Sequence, residues 1–316
     1  MNIHNNLTGS KVLVTGGQGF VAQHLNLSLS SIGAKVYTLD IIPPKHSSNN
    51  PNVIQITSDI LDFESMELIF KKIKPDFVFH LAAKVSVLDS EKFPDEYILI
   101  NEDGSENIAT LCAQYNVKKV IFFSTGGAMY NYHFTINEKT KPNPISVYGR
   151  NKLNAEIIMN KILLKSHSNF SIIRPANIYG PSINYNHWKP HGVIDIFIKN
   201  MMEKNDVIIF GDCSRDYIYV EDVIKIAIAT LFLDIPIVLA GSGKSINTKD
   251  LFHKISKYLH YDLDPIIKNI RHNEVKSISF NVDKVIESLS IMDLVLLDEG
   301  LLRTINQLKK NYKDIL

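Results

Sequence analysis

Short apolar runs alternate with amphipathic stretches through the first half of the chain. Lys11–Thr15, Lys35–Leu39, Val53–Thr57, Phe77–Leu81, Lys119–Ser124 and Ser171–Arg174 are rich in β-branched and aromatic side chains. Runs such as Val-Leu-Val and Val-Ile-Phe-Phe suit strands buried on both faces. Helices are read between them at Phe20–Ile32, Phe63–Lys72, Ile100–Tyr115 and Tyr148–Leu164. Strand–helix alternation predicts right-handed βαβ units, and so an α/β fold with a doubly wound parallel sheet.

The rhythm changes after Tyr179-Gly180-Pro181. A loop rich in Asn, His and Pro (Ser182 to His191) precedes a helix near Val193–Lys204 and an apolar run at Val207–Phe210. Tyr217–Val220 and Val223–Leu233 read as a return to the sheet and its outer helix. A turn follows from Gly241, then a helix near Thr248–Leu259, a strand near Ile278–Phe280 and two terminal helices. This predicts a Rossmann-type domain over 1–177, with 215–240 returning to it. A smaller, discontinuous C-terminal lobe over 178–214 and 241–316 is expected to bind substrate. In such folds ligands sit at the carboxyl ends of strands, so the residues just after strands are the candidates.

Composition narrows the class. A chain of 316 residues can bury a large core, and 45% apolar with 21% charged residues is a globular balance. A net charge of +1 gives no electrostatic case for nucleic acid or a membrane surface. Cys112 and Cys213 are too few for a metal cluster or a disulfide framework. No apolar run reaches the ~20 residues of a membrane span, and the polar start is no signal peptide, so a cytoplasmic setting is expected.

The first strand runs directly into Thr15-Gly-Gly-Gln-Gly-Phe-Val-Ala22. Gly16 permits the tight turn, and Gly19 lets bare backbone approach a pyrophosphate at the start of the next helix. Ala22 in the third position still allows close helix–strand packing. Asp40, at the end of the second strand, is placed to accept the ribose hydroxyls of NAD, and an acid there repels the 2′-phosphate of NADP. Lys45 and His46, which follow, read as an exposed loop.

Tyr148 and Lys152 stand one helical turn apart. A nearby cation lowers a phenol's pKa, which suits Tyr148 as a general base for a sugar hydroxyl, with Lys152 also able to bond the nicotinamide ribose. The spacing alone does not choose this pair, because Tyr115…Lys119 and Tyr185…Lys189 match it too. Context chooses: Tyr148 opens a helix about two dozen residues beyond the strand end carrying Ser124 and Thr125. Tyr115 ends a helix, and Tyr185 lies in the Pro/Asn-rich loop.

With these pieces in place the chain resembles an extended short-chain dehydrogenase/reductase of the NAD-dependent nucleotide-sugar epimerase/dehydratase group. The resemblance rests on the glycine turn, Asp59-Ile60, His80-Leu-Ala-Ala83, Asn101-x-x-Gly104-x-x-Asn107, Ser124-Thr-Gly-Gly-Ala-Met-Tyr130, Tyr148-x-x-x-Lys152, Arg174-Pro-Ala-Asn-Ile-Tyr-Gly-Pro181 and Arg215-Asp-Tyr-Ile-Tyr-Val220. These occur in the family's order and cover roughly residues 10 to 305.

The resemblance implies NAD held by Gly16, Gly19, Phe20, Val21, Asp40, Asp59, Ile60, Leu81, Ala82, Ala83, Asn101, Tyr148 and Lys152. Asn101 reads equally as a satisfied buried Asn. Asn177 resembles the residue that contacts a nucleotide-sugar diphosphate, and Arg215 the cation that neutralises it, the alternative for Arg215 being an ion pair with Asp212 or Asp216. Arg271 and Glu274 resemble the late Arg and acid that hold phosphate and uridine ribose. Phe210 and Val193 are base-flanking walls or plain core residues. Cys213 reads as a loop filler.

One departure concerns the catalytic hydroxyl. Family members commonly carry it at the place of Gly126, which passes the role to Thr125. Related 4,6-dehydratases carry Asp-Glu after the active-site Thr, where this chain has Gly126-Gly127. The 3,5-epimerases need a Cys/Lys pair that is absent near the active-site strand. What remains is hydride chemistry at C4 of a UDP-hexose, namely NAD-dependent epimerisation, or reduction by an NAD(P)H-dependent 4-ketoreductase. Ser277-Ile278 falls near the position that controls room for an N-acetyl group. A homodimer built on helices near Ile100–Tyr115 and Tyr148–Leu164 is the family's common assembly.

Overall fold

The structure is a computed structural model, and it describes residues 7–44, 50–132, 135–183, 190, 192–271, 273–291 and 293–313. Its first half runs β1 (Lys11–Thr15), α1 (Phe20–Ser31), β2 (Lys35–Asp40), β3 (Val53–Thr57), α2 (Phe63–Ile73), β4 (Phe77–His80), α3 (Val87–Lys92) and α4 (Pro94–Ile98). A π-helical turn (Leu99–Asp103) then leads into α5 (Gly104–Gln114), β5 (Lys119–Phe123), α6 (Val147–Leu163) and β6 (Asn169–Pro175). The second half adds β7 (Asn177–Tyr179), α7 (Val193–Met202), β8 (Ile208–Phe210), β9 (Ser214–Tyr219), α8 (Val220–Thr230) and β10 (Ile237–Ala240). It closes with β11 (Ser245–Asn247), α9 (Thr248–Leu259), β12 (Ile266–Lys268), α10 (Asp283–Leu289) and α11 (Leu297–Lys313).

A seven-stranded sheet has the order β10-β6-β5-β4-β1-β2-β3. The pairings from β6 through β3 are parallel, in registers such as Val14↔Phe79 and Val14↔Thr38. Chain order reverses between β1 and β4, the switch point at which such sheets bind ligands. The βαβ reading therefore gives the Rossmann-like sheet. Val12, Leu13, Val14, Val120, Ile121 and Phe122 have no exposed surface, as expected of strands covered on both faces.

The chain divides into two units. The first comprises Met1–Thr125, Ser146–Arg174 and Ile224–Val238; the second comprises Gly126–Ile145, Pro175–Val223 and Leu239–Leu316. A core of Leu13, Met66, Phe70, Ile108, Leu111, Val120, Phe122 and Met159 fills the first. In the second, β11-β9-β7 form a small sheet and β12-β8 another, over a core that includes Ile194, Phe197, Tyr217, Phe252 and Leu301.

Four local readings are corrected. Tyr217–Val220 does not return to the large sheet, because β9 pairs with β7 and β11 instead. The helix read from Ile100 begins as a π turn, because Gly104 N–H bonds the carbonyl five residues back at Leu99. The short helices α3 and α4 carry no long apolar period and were not anticipated. Ile278–Phe280 is not a strand: only isolated bridges Ser214↔Ser277 and Ile136↔Phe280 form there. Among the described residues no helix is long and apolar enough to cross a membrane, and no group of three His, Cys, Asp or Glu side chains could hold a metal.

Candidate active site

In the first unit, β1 delivers Gly16 in the left-handed region (φ 68°), where a Cβ would stand 2.7 Å from the Ala82 nitrogen. Backbone thus lies on backbone between the glycine turn and Leu81–Ala83. Gly17 is equally required, since its Cβ would fall on the Thr38 hydroxyl. Exposed Gly19 is the N-cap of α1 and offers no side chain to the helix N-terminus. Phe20 and Val21 form the first turn, which carries no acidic residue, so no carboxylate competes with a pyrophosphate for the positive end of this helix.

Asp40 Oδ2 accepts from Gln18 N–H (2.9 Å) and Oδ1 from Ile42 N–H (3.0 Å). The carboxylate therefore shapes the glycine turn and keeps one lone pair on each oxygen for a ribose. Asp59 is exposed and its Oδ1 accepts from Leu61 N–H, while Ile60 is buried and its carbonyl accepts from Asn107. Asn101, wholly buried in the π turn, clamps the Lys84 backbone in both directions, at 2.8 and 2.9 Å. These features fit NAD: a bare cradle, a helix N-terminus and a carboxylate at the end of β2.

The N-terminus of α6 is satisfied group by group. Val147 N–H donates to Glu91 Oε1 (2.9 Å), Tyr148 N–H to Ser90 Oγ (3.1 Å) and Gly149 N–H to the N-cap Ser146 Oγ (3.1 Å). These bonds pin the turn that carries Tyr148. The phenol is buried and hydrogen-bonded to Thr125, which favours the phenolate. Burial nevertheless dominates and pushes Tyr148 up to about 12. The sequence expectation of a lowered phenol is thus overturned for the protein alone, because a low-dielectric site disfavours the phenolate before any neighbour acts.

The same burial drives Lys152 down to about 7, opposed by the Glu156 charge. Lys152 Nζ rests 4.0 Å over the Phe122 ring. Glu156, the next position on this helical stripe, is paired with Arg174, whose Nε lies 2.9 Å from Glu156 Oε1; both side chains are 4% exposed. Sequence reading missed this anchor, although the i, i+4, i+8 series Tyr148, Lys152, Glu156 was its signal. Of the rival pairs, Tyr115 packs on Phe70, and Lys119 donates to the Leu233 carbonyl (2.9 Å), so both serve the core. Tyr185 and Lys189, like Lys45 and His46, lie outside the described residues.

In the second unit, Asn177 stands in register with Tyr217 on β9. Arg215 is buried; it donates to the Ser214 and Lys276 carbonyls (3.1 Å each) and pairs with Glu274 at 3.4 Å, not with Asp212 or Asp216. Asp216 is instead consumed by the turn at Ser242 and Gly243. The Arg271 guanidinium stacks 3.7 Å from the Phe210 ring centroid, which unites two candidates that are far apart in sequence. Val193 opens α7, partly buried against the core. Buried Cys213 gives its thiol to the Phe210 carbonyl at 3.7 Å, in keeping with loop filling.

Gly126 explains the missing hydroxyl. A Cβ there would lie 2.5 Å from the Phe280 ring and 2.7 Å from the Pro175 carbonyl, so no side chain fits while Phe280 occupies the space.

A family model for the NAD-dependent epimerase/dehydratase family matches residues 12–233. A putative UDP-glucose 4-epimerase of Methanocaldococcus jannaschii is 33% identical over 307 residues, covering 95% of this chain and 99% of that protein. The crystal structure of UDP-glucose 4-epimerase with UDP-glucose from Thermotoga maritima superposes with a TM-score of 0.89 at 33% identity, over 96% of this chain and 99% of that one. The Thermus thermophilus UDP-glucose 4-epimerase complex with NAD gives 0.86 at 27%, over 95% and 99%. Sequence, fold and the ordered motifs agree: the chain belongs to the NAD-dependent epimerase/dehydratase family.

Proposed function

We propose that this chain is an NAD-dependent epimerase that inverts C4 of a UDP-hexose through a 4-keto sugar. The observation that carries the reading is the Thr125–Tyr148 hydrogen bond on a helix whose next turn bears Lys152, with glycines where a dehydratase needs two acids. Relatives that contain UDP-glucose or NAD support the substrate and cofactor.

When bound, NAD would supply the hydride acceptor for C4 and, in its reduced form, the hydride donor for the ketone. Tyr148 acts as its phenolate, the form that the Thr125 hydrogen bond favours and that the positive charge of bound NAD would favour against burial; its Oη takes the 4-hydroxyl proton, holds it beside Thr125 and gives it back as the alcohol re-forms. Lys152 bonds the nicotinamide ribose and keeps positive charge near the phenolate. Gly16, Gly19, Phe20 and Val21 hold the pyrophosphate, Asp40 the ribose, and Asp59 and Ile60 the adenine. Asn177, Arg215 and Arg271 hold the substrate diphosphate, Glu274 the uridine ribose, and Phe210 with Val193 the base. Gripping the nucleotide leaves the hexose free to turn over.

The assembly is a homodimer; exposed Val85, Leu88, Phe93, Ile98, Leu99 and Ile157 supply the apolar surface for it.

The test incubates purified protein with UDP-glucose, UDP-galactose and their N-acetyl forms without added cofactor. Interconversion of C4 epimers is expected. No turnover, with NADH-dependent consumption of a 4-keto sugar, would make it a ketoreductase instead.

A further inference from the structure

His80 ends β4 with no exposed surface and takes no part in the chemistry above. Both ring nitrogens are engaged: Nδ1 lies 2.7 Å from Thr15 Oγ1 and Nε2 lies 3.0 Å from Ser105 Oγ. Counting protons fixes the tautomer. The Thr15 hydroxyl accepts N–H bonds from Leu81 and Ala82, both at 3.2 Å, which fills its lone pairs and leaves its proton for Nδ1. At the other end the Ser105 hydroxyl donates to the Asn101 carbonyl at 2.6 Å, so it must accept from Nε2–H.

One neutral form thus satisfies an unbroken series from the Leu81 and Ala82 amides through Thr15, His80 and Ser105 to Asn101. Its two ends are functional surfaces. Thr15 immediately precedes Gly16, whose missing Cβ lets the Ala82 backbone approach. Asn101 belongs to the π turn and clamps Lys84 just beyond Ala83. Stacking on Phe122, with centroids 5.5 Å apart and planes at 23°, fixes the imidazole plane. Burial and the Lys152 charge hold the imidazole down to about 3, so it stays uncharged at neutral pH.

We propose that His80 is a positioning residue that couples the glycine turn to the π turn and thereby sets the pyrophosphate cradle for NAD. The proposal rests on the NAD-binding reading and adds to it a residue that touches neither cofactor nor substrate.

The test is a double-mutant cycle on NAD affinity with Thr15→Val and Ser105→Ala, the two hydroxyls that meet the His80 ring from either side, and the His80→Leu background separates coupling through the ring from coupling through the Lys84–Asn101 clamp. Thr15→Val removes the acceptor for Leu81 and Ala82 and should weaken NAD about tenfold. Ser105→Ala frees Nε2–H and should weaken it by a smaller factor. If His80 couples them, the double variant loses about threefold less than the product of the single effects. In a His80→Leu background that shortfall should vanish, and UDP affinity should be unchanged in every variant that folds. Additive effects of Thr15→Val and Ser105→Ala would overturn the coupling, as would equal losses of NAD and UDP affinity that track thermal stability. If His80→Leu does not fold, the cycle in the native background decides alone. A wild-type protein that binds no NAD would sink the cofactor reading itself, which is a different outcome.

Discussion

Two arginine–glutamate pairs, one in each unit, differ in how tightly they are held. Arg174 and Glu156 are each 4% exposed and fork-bonded behind the helix that carries Tyr148 and Lys152. Arg215 and Glu274 are 11% and 30% exposed, 3.4 Å apart, and Arg215 also rests on two carbonyls. The first pair is spent on structure: its charges are already compensated, and it fixes the register of α6 against β6. The second is loosely held, with Glu274 Oε2 still lacking a partner. Groups that must move a proton need a fixed geometry before substrate arrives, whereas groups that grip a diphosphate can exchange a weak internal contact for a stronger ligand one.

The comparison can be broken or sharpened by substitution. The largest effect is expected for Tyr148→Phe, which should lower the epimerisation rate by about 10²–10⁴-fold while UDP and NAD affinities stay near wild type. Undiminished turnover would remove Tyr148 as the base.

Next comes Glu156→Gln, which leaves Arg174 buried without its counter-charge and should cost about 3–5 kcal/mol in denaturant unfolding. The matching Glu274→Gln change should cost at most about 1 kcal/mol, because that pair is partly solvated. Equal losses would erase the distinction between the regions. Gly126→Ser should destabilise by about 1–3 kcal/mol through overpacking on Phe280, and adding Phe280→Leu should recover part of it. Arg271→Ala, at an exposed side chain, should weaken UDP binding about tenfold with little change in unfolding.

The last prediction concerns pH. Burial drives Lys152 from its ordinary 10.5 down to about 7, so the unfolded chain binds the extra proton between those values. Stability therefore carries a component that rises with pH across that window, and it is absent below about 7, where both states are protonated. Lys152→Met should flatten the pH dependence of unfolding between 7 and 10, measured by denaturant titration. An unchanged slope would place the lysine's titration elsewhere.

The sheet was legible because buried parallel strands must be short and apolar, as β1, β4 and β5 are. The glycine turn was legible for a related reason: only a missing Cβ allows the contact of Gly16 with Ala82. Short α3 and α4 were not, since one or two turns leave no period to read. The Ser277–Phe280 segment misled, because apolar alternation does not distinguish a paired strand from an extended chain held by isolated bridges.

At the site, local spacing was enough to place Tyr148 and Lys152 on one helical stripe. It could not set their acidity, since desolvation depends on everything packed around them and here outweighs the neighbouring charge. Nor could it pair Arg215 with Glu274, stack Arg271 on Phe210, or show Phe280 filling the space above Gly126. By itself the sequence determined the alternation of elements, the glycine turn and the stripe that carries Tyr148 and Lys152, because these follow from backbone sterics and short-range periodicity. Tertiary structure alone decided which charges are compensated, which hydroxyl meets the phenol and which ring blocks a side chain, because those contacts join residues distant in the chain.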